Sequence, residues 1–355
     1  MAHIQSRLNE VRRLLEAKNL PALLVVQAEN RRYLSGFTGS AGALLVTPTH
    51  AVLAVDFRYW EQAAQQAPDF TAHQAKGGLM DYLPGLIAEA GSPARIGFES
   101  NTVTVAQHEE MQKAMPQIEW SGVNGLIENV RAVKDADELA LTRKTIDLAE
   151  DGLRYLLSIL KPGMTEKYAA WELEKHLRSH GADALSFDTI VASGPNAALP
   201  HHHPGERVIR ANEPITIDWG AEIDGYRSDL TRTIVLGESD AKFREIYGIV
   251  LEAQLNAINH IRAGQTGKEA DAYARDVIAA AGYGDNFGHG LGHGVGLAVH
   301  EQPRASYTVE EERLPANSIL TVEPGIYLPG WGGVRIEDMI LVKEDGNEVL
   351  SRFEK

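Results

Sequence analysis

The sequence predicts two domains, a smaller α/β domain followed by a larger α+β domain built from two similar halves. Residues 1 to about 125 alternate short apolar runs with helical patterns, which is typical of α/β domains. The rest of the chain gives the order helix, helix, strand pair twice. A length of 355 residues suits two domains at roughly 100–200 residues each. We expect them at residues 1–128 and 129–355, with the charged segment 126–138 marking the boundary.

Hydrophobic periodicity defines the elements of the first domain. Apolar residues at helical spacing over residues 4–18 predict an opening helix, and apolar runs between turn residues predict strands. The predicted strands are 22–26, 43–46, 51–55 and 95–98, and the further predicted helices are 56–66 and 79–90.

The second domain opens with a capping pattern. Asp135 and, three residues later, Glu138 predict the start of a long helix that ends near Leu160, before Pro162-Gly163. The other predicted helices are 167–179, 240–262 and 267–281. The two predicted strand pairs are 215–222 with 226–236, and 319–327 with 334–342.

Composition excludes several classes of function. The formal net charge of −15 argues against nucleic acid and against an anionic membrane surface as partners. The absence of Cys excludes disulfides, thiolate metal sites and Cys nucleophiles. The N-terminus has no apolar signal core, and no apolar run approaches 18 residues, so we expect a cytoplasmic protein without a membrane span.

The first strand pair carries two acidic residues on one face. Asp224-Gly225 favours a two-residue turn, which places Asp229 opposite Gly220, a residue on the same face as Asp218. Asp is disfavoured in strands, and two carboxylates on one face repel each other unless a cation lies between them. The pair therefore indicates a cation site.

The second strand pair repeats this arrangement. A turn centred near Trp331 places Glu337 opposite Gly325, on the same face as Glu323. The neighbouring residues are apolar, and buried acidic side chains in such surroundings need partners. We expect the second pair to join the first around metal.

Three His residues lie in the Gly-rich segment FGHGLGHGVGLAVHE, residues 287–301. Gly permits backbone shapes that bring a His close to a small target. Four carboxylates and one imidazole suit two divalent ions, and oxygen-rich sites favour Mn²⁺, Co²⁺ or Fe²⁺ over structural Zn²⁺. Each acidic residue alone has an ordinary explanation, because a single Asp or Glu in a strand is usually solvated. Two pairs on common faces, together with a His among Gly residues, favour the metal site.

Four motifs resemble the pita-bread metallopeptidases, a family that includes Xaa-Pro aminopeptidases, prolidases, methionine aminopeptidases and creatinases. They are IDWGAEIDGYRSDLTRT, HGLGHGVGLAVHE, TVEPGIY and GGVRIEDM, in the family's order within residues 135–355. The first domain is similar to the creatinase-like N-terminal domain of the Xaa-Pro aminopeptidase and prolidase branch. The resemblance implies a pita-bread catalytic domain preceded by that smaller domain.

The resemblance also implies a complete set of metal ligands. Asp218 and Asp229 would bind metal, with Asp229 bridging two ions, and His293 would supply the imidazole. Glu323 would bind the same ion as His293, and Glu337 would bridge. We expect two divalent ions, Mn²⁺ first, with Co²⁺, Zn²⁺ or Fe²⁺ as alternatives.

Further residues match catalytic positions of the family. His201, 17 residues before Asp218, matches a substrate-contacting His, and His300, seven after His293, matches a His that contacts the scissile peptide. Arg335 matches a residue that supports the site in the proline-specific branch, and Glu323 is the expected proton shuttle.

Other residues in these motifs are expected to be structural or stay open. We interpret His202 and His203 as loop residues, and 56–59 as structural or interfacial. For His289, packing and lining of the substrate pocket remain equal alternatives.

The function expected from the resemblance is an Xaa-Pro aminopeptidase, which releases the residue before a proline at the second position of a peptide. A prolidase, restricted to Xaa-Pro dipeptides, is the main alternative. A non-catalytic binding protein and a metal-free creatinase-type amidinohydrolase also share the fold, but neither explains an intact set of five ligands. The family commonly forms homodimers, so we expect a homodimer here.

Overall fold

The computed structural model describes residues 2–355 and divides into two compact units, Met1–Arg131 and Ala132–Lys355. Each unit has its own hydrophobic core. Among the helices of the described residues, none is both long enough and apolar enough to cross a bilayer.

A six-stranded mixed sheet forms the centre of the first unit, with strand order β4-β3-β2-β1-β5-β6. β1 pairs antiparallel with β2 and parallel with β5, as expected where a hairpin and crossover helices share one sheet. The strands are β1 (Leu23–Val25), β2 (Ala43–Val46), β3 (Ala51–Val55), β4 (Thr71–Gln74), β5 (Arg95–Glu99) and β6 (Glu119–Val123).

A hydrophobic cluster of this unit combines apolar residues of the central strands with residues of two of its helices. The segment predicted as one helix over 56–66 begins with a 3₁₀ turn, Phe57–Tyr59. The helices are α1 (Ala2–Ala17), α2 (Ala28–Ser35), α3 (Trp60–Gln66), α4 (Leu79–Glu89), α5 (Val105–Ala114) and α6 (Leu126–Ala132).

The second unit repeats one order of elements, as the sequence predicts. Its first half opens with α7 (Ala136–Ile159), where Asp135 and Glu138 form the expected capping box, and continues with α8 (Glu166–Ser179). The strands of this half are β7 (Ala184–Leu185), β8 (Ile190–Ser193), β9 (Pro214–Trp219), β10 (Ala221–Ile223), β11 (Tyr226–Arg227) and β12 (Leu230–Val235).

The second half also places two helices before its strands. These are α9 (Ala241–His260) and α10 (Gly267–Ala280). The strands are β13 (Gly292–Gly294), β14 (Glu301–Ala305), β15 (Ile319–Val322), β16 (Gly325–Leu328), β17 (Gly332–Arg335), β18 (Asp338–Lys343) and β19 (Gly346–Val349).

The strands β15 and β18 lie between two apolar clusters, because their side chains alternate between the faces. Ile319 and Met339 join the cluster that contains α7 and α8, whereas Leu320 and Ile340 join the cluster that contains α9 and α10. The two halves therefore share a common layer of strands.

Candidate metal centre

The first acidic hairpin has the predicted register. Asp224 and Gly225 have φ values of 48° and 73°, as a two-residue turn with both central residues left-handed requires. Ile223 pairs with Tyr226, and further along the hairpin Thr231 pairs with Asp218. Asp229 lies two residues before Thr231, so its side chain shares the face of Asp218.

The opposite face of this hairpin is packed into the core. Trp219 is fully buried, and its indole Nε1 donates a 2.7 Å hydrogen bond to the carbonyl of Ala149. The close approach of the two strands also fixes the hairpin. An added Cβ at Gly220 would lie 1.9 Å from the carbonyl oxygen of Ser228, so only Gly fits there. The hairpin thus has a fixed position, with both Asp side chains on the other face.

The predicted register of the second hairpin is wrong by two residues. Val322 pairs with Asp338, and Gly325 pairs with Arg335 instead of Glu337. The turn is centred on Gly330, whose φ of 82° favours Gly, one residue earlier than the predicted Trp331. A shift of two residues preserves the face, so the conclusion that the two Glu side chains share one face still holds.

This register brings the two Glu side chains closer than predicted. Glu323 and Glu337 lie one residue beyond the paired Val322 and Asp338, and therefore opposite each other. Both lie just outside the regular strands, where β15 passes into β16 and β17 into β18.

The two hairpins meet along β12. The backbone N–H of Glu337 donates to the carbonyl of Thr231 at 3.1 Å, and the hydroxyl of Thr231 donates to Glu337 Oε2 at 2.7 Å. Thr233 Oγ1 donates to the carbonyl of Arg335 at 2.9 Å and accepts from its N–H at 3.0 Å. The four carboxylates consequently face one space.

Three of these carboxylates form a compact donor group. Asp218, Asp229 and Glu337 each offer an oxygen, and these oxygens lie within 4.8 Å of one another. Asp218 Oδ1 and Glu337 Oε1 are buried and have no hydrogen-bond partner among the described residues. Because buried polar atoms are nearly always satisfied, unpartnered carboxylate oxygens that converge on one space indicate a cation.

His293 completes the donor set from β13. Its Nε2 lies 3.3 Å from Glu323 Oε1 and 3.6 Å from Asp229 Oδ2. Its Nδ1 lies 3.1 Å from the carbonyl of Gly294, which favours a proton on Nδ1 and leaves Nε2 free to bind metal. An added Cβ at the preceding Gly292 would lie 1.9 Å from the Thr321 carbonyl oxygen, so Gly brings His293 close to β15.

Burial, with mutual repulsion added, raises the pKa of three of the carboxyl groups. Burial raises the pKa of Asp229 and of Glu337 well above the ordinary range, and repulsion by neighbouring carboxylates adds to the effect. Burial also raises the pKa of Asp218, although the adjacent Arg335 opposes this shift. Bound divalent cations would neutralise the negative charge and remove this repulsion, so the donor set is suited to divalent cations.

When no metal is bound, His293 Nε2 also carries a proton, and Glu323 and His293 form an ion pair. Burial opposes the ionisation of Glu323, but the hydrogen bond and positive charge of His293 outweigh burial and lower the pKa of Glu323 to about 2. The same contact raises the pKa of His293 despite burial. Glu323 is therefore a carboxylate at neutral pH.

Comparison with known proteins now identifies the family. Residues 140–344 match the sequence profile of metallopeptidase family M24, and residues 7–133 match the creatinase/prolidase N-terminal domain. The chain belongs to metallopeptidase family M24. The fold predicted from the sequence motifs, a pita-bread catalytic unit preceded by a creatinase-like one, is confirmed.

Relatives of this M24 peptidase match it over nearly its whole length. An Xaa-Pro dipeptidase from Bacillus anthracis has a TM-score of 0.95 at 40% identity, covering 99% of this chain and 98% of that one. An X-Pro aminopeptidase from Thermotoga maritima has a TM-score of 0.90 at 36% identity, covering 98% of each. An Xaa-Pro dipeptidase from Pyrococcus horikoshii is 35% identical over 353 residues, covering 99% of this chain and 98% of that one.

Arg335 of the M24 peptidase holds the candidate metal ligand Asp218 in position. Its Nη2 donates to Asp218 Oδ2 at 2.7 Å, its Nη1 donates to the hydroxyl of Tyr327 at 3.0 Å, and its Nε donates to Thr231 Oγ1 at 3.1 Å. Burial is the main cause that raises the pKa of Tyr327 to about 12. The Tyr327 hydroxyl is therefore protonated at neutral pH and can donate a hydrogen bond of its own.

His289 accepts that hydrogen bond. Its Nε2 lies 2.9 Å from the Tyr327 hydroxyl, and its Nδ1 lies 2.8 Å from the carbonyl of Gly290, which fixes the proton on Nδ1. Burial lowers the pKa of His289, in keeping with a neutral ring. A series of hydrogen bonds thus connects His289 through Tyr327 and Arg335 to Asp218.

The two other His residues expected at the site lie at its exposed side. The ring of His300 lies edge-on to that of His293, with centroids 4.3 Å apart. Burial and the charge of His293 lower the pKa of His300. His201 is exposed and lies near enough to His289 and His300 to contribute to the lowered pKa of both.

Some residues of the site have no counterpart in the sequence-based predictions. Thr231 and Tyr327 were not singled out, although each shares the face of a predicted ligand at strand spacing. His202, expected to be a loop residue, hydrogen-bonds to the buried Glu166. The side chain of Asp56 pairs with Arg58 of its own motif.

Proposed function

We propose that the chain is a dinuclear metal exopeptidase that hydrolyses the bond between an N-terminal residue and a following proline. The observation that carries the proposal is the converging donor set with its unpartnered Asp218 Oδ1 and Glu337 Oε1. Membership of a metallopeptidase family and relatives named for Xaa-Pro hydrolysis support the reaction type.

The donor set has the size and chemistry for two divalent ions. The residues that would hold them are Asp218, Asp229, His293, Glu323 and Glu337. Four carboxylates and one imidazole supply more donors than one ion requires, and the mainly oxygen ligands favour Mn²⁺. Bound ions of this kind lower the pKa of an attacking water and polarise the scissile carbonyl.

Two side chains of the site, Glu323 and His300, would transfer a proton and donate a hydrogen bond during the reaction. Glu323 can accept a proton from the attacking water and deliver it to the leaving nitrogen. The nitrogen must gain this proton to leave as an amine, and in an Xaa-Pro bond it is the proline ring nitrogen, which has no N–H of its own. Burial favours the neutral form of His300, which can donate a hydrogen bond to the developing oxyanion.

The length of the peptide substrate has two candidates. Two of the relatives described above are named dipeptidases, at 40% and 35% identity, and they favour Xaa-Pro dipeptides. The relative named an X-Pro aminopeptidase, at 36% identity, favours the longer peptides expected from the sequence motifs.

A kinetic comparison tests the proposal and separates the candidates. Protein stripped with a chelator is reloaded with Mn²⁺ and assayed with Ala-Pro, Ala-Pro-Ala and, as a control, Ala-Ala. We expect metal-dependent cleavage of a proline-containing substrate with kcat/KM at least about tenfold above that for Ala-Ala. Turnover confined to Ala-Pro would identify a dipeptidase, and turnover of Ala-Pro-Ala an aminopeptidase. Absence of metal binding and of any Xaa-Pro cleavage would favour a binding protein instead.

Parallel reloading with Co²⁺, Zn²⁺ and Fe²⁺ ranks the metals in the same assay. Manganese as the native metal, a homodimeric state and a cytoplasmic location stay predictions.

A further inference from the structure

We propose that Glu166, a buried carboxylate outside the metal centre, is a positioning residue. It holds the loop of residues 199–207, which carries His201, in place for the reaction. The inference rests on the proposed function, because it assigns His201 a contact with the peptide substrate. Glu166 is the first residue of α8, and its side chain is completely buried.

One oxygen of Glu166 fixes the segment before the His201 loop. Oε1 accepts hydrogen bonds from the backbone N–H and the hydroxyl of Ser193, both at 2.7 Å. It also accepts from Asn196 Nδ2 at 3.0 Å. Ser193 ends β8, and Asn196 lies in the 3₁₀ turn Gly194–Ala198 that leads into the loop.

The other oxygen fixes the loop itself. Oε2 lies 2.8 Å from His202 Nε2, and it accepts from Asn196 Nδ2 at 3.1 Å and from the N–H of Gly205 at 3.4 Å. The backbone N–H of Glu166 donates to the carbonyl of Arg207 at 3.0 Å. A single side chain therefore holds the chain on both sides of His201.

The 3₁₀ turn that Glu166 holds also contacts β17, the strand that ends at Arg335. An added Cβ at Gly332 would lie 2.8 Å from the carbonyl oxygen of Gly194, and one at Gly333 would lie 2.2 Å from that of Ala197. These Gly residues begin β17, which ends at Arg335 and its contact with Asp218. The 3₁₀ turn thus lies against β17 and is also anchored by Glu166.

The charge of Glu166 makes this anchor strong. Burial opposes ionisation, but hydrogen bonds from Ser193, His202 and Asn196 outweigh burial and lower the pKa of Glu166. A buried carboxylate without such donors would be strongly destabilising, so its hydrogen-bond network constrains the loop. A helix-capping role alone would not require donors from the segment on both sides of His201.

Variants of α8 separate positioning from general stabilisation. In Glu166→Gln, an NH2 group replaces one oxygen and faces N–H donors, so the acceptor for one side of the segment and the negative charge are lost with little change in volume. The matched control is Glu172→Gln on the same helix. Glu172 is also nearly buried, but its partners are Tyr155 at 2.9 Å and Lys175 at 2.8 Å, which hold no part of the loop.

Kinetics and hydrogen exchange supply the readouts. We expect Glu166→Gln to lower kcat for an Xaa-Pro substrate roughly 10- to 100-fold, as a misplaced contact does, and Glu172→Gln to change it less than about twofold. In a His201→Ala background, Glu166→Gln should lower kcat by less than about threefold further, because the residue it positions is already gone. Amide exchange of residues 193–205 should accelerate in Glu166→Gln only.

The outcomes keep this inference separate from the proposed function. If the unmodified enzyme cleaves no Xaa-Pro peptide, the proposed function fails and the inference fails with it. If it is active, but Glu166→Gln has no effect or multiplies fully with His201→Ala, the positioning role alone is overturned. Should Glu166→Gln not fold, His202→Asn removes one partner of Glu166, and the same comparison with His201→Ala decides.

Discussion

The contact between Arg335 and Asp218 should contribute to stability far more than a surface ion pair of equal length. Arg335 Nη2 lies 2.7 Å from Asp218 Oδ2, and the two side chains are only 4% and 14% exposed. Removing one partner of a buried pair typically costs about 3–5 kcal/mol, because the other charge stays buried and unpaired. In a domain of this size, that corresponds to a loss of roughly 6–20 °C in Tm. We therefore expect Arg335→Met to lower the Tm of the metal-free protein within that range.

The control is a pair of the same length on the surface. Arg143 Nη2 lies 2.8 Å from Glu348 Oε1, but these side chains are 36% and 46% exposed. Exposed pairs contribute about 0–1 kcal/mol, so Arg143→Met should shift Tm by less than about 4 °C. Differential scanning calorimetry of both variants after chelation makes the comparison. Equal losses in the two variants, or a loss below about 1 kcal/mol for Arg335→Met, would refute the reasoning from burial.

Three further predictions follow from the site. Glu323→Gln should lower kcat roughly 10²–10⁴-fold with an unchanged circular dichroism spectrum; near-normal turnover would exclude it as proton shuttle. The folded metal-free protein retains protons on Asp229 and Glu337 that the unfolded chain releases, so the stability that these two groups contribute should fall as pH rises from about 4, and Tm should fall relative to that of the Asp229→Asn/Glu337→Gln variant; parallel pH profiles of the two proteins would contradict the raised pKa values. Gly220→Ala should lower the free energy of urea unfolding by more than about 2 kcal/mol. The control, Gly248→Ala in α9, has open space around it and should raise that free energy by up to about 1 kcal/mol. Similar effects of the two variants would argue against the close strand contact at Gly220.

Turn chemistry decides how much of the site geometry the sequence predicts. Asp224-Gly225 allows one short turn, so the register that aligns Asp218 with Thr231 follows from it. The segment LPGWGG contains three Gly residues and permits several turns, which explains the error of two residues at Glu337. The prediction that Glu323 and Glu337 share one face still holds, because the period of a strand is two.

Elements without a hydrophobic pattern were missed. The edge strands β4 and β6 contain no fully buried residue and have no apolar alternation, and the Gly-rich β13 resembles a loop in sequence. The role of Glu166 could not be inferred either. An acidic residue in the first turn of a helix is common, and only the tertiary structure shows that its donors come from the segments around His201.

The most direct test of the dinuclear site is a metal titration of the stripped protein, with bound metal and Xaa-Pro hydrolysis measured in the same samples. We expect two Mn²⁺ ions per chain, with hydrolysis appearing as they bind, and at most one ion in Glu337→Gln. A stripped protein that binds no divalent ion, or one that hydrolyses the substrate at the full rate without metal, would contradict the assignment of these carboxylates as metal ligands.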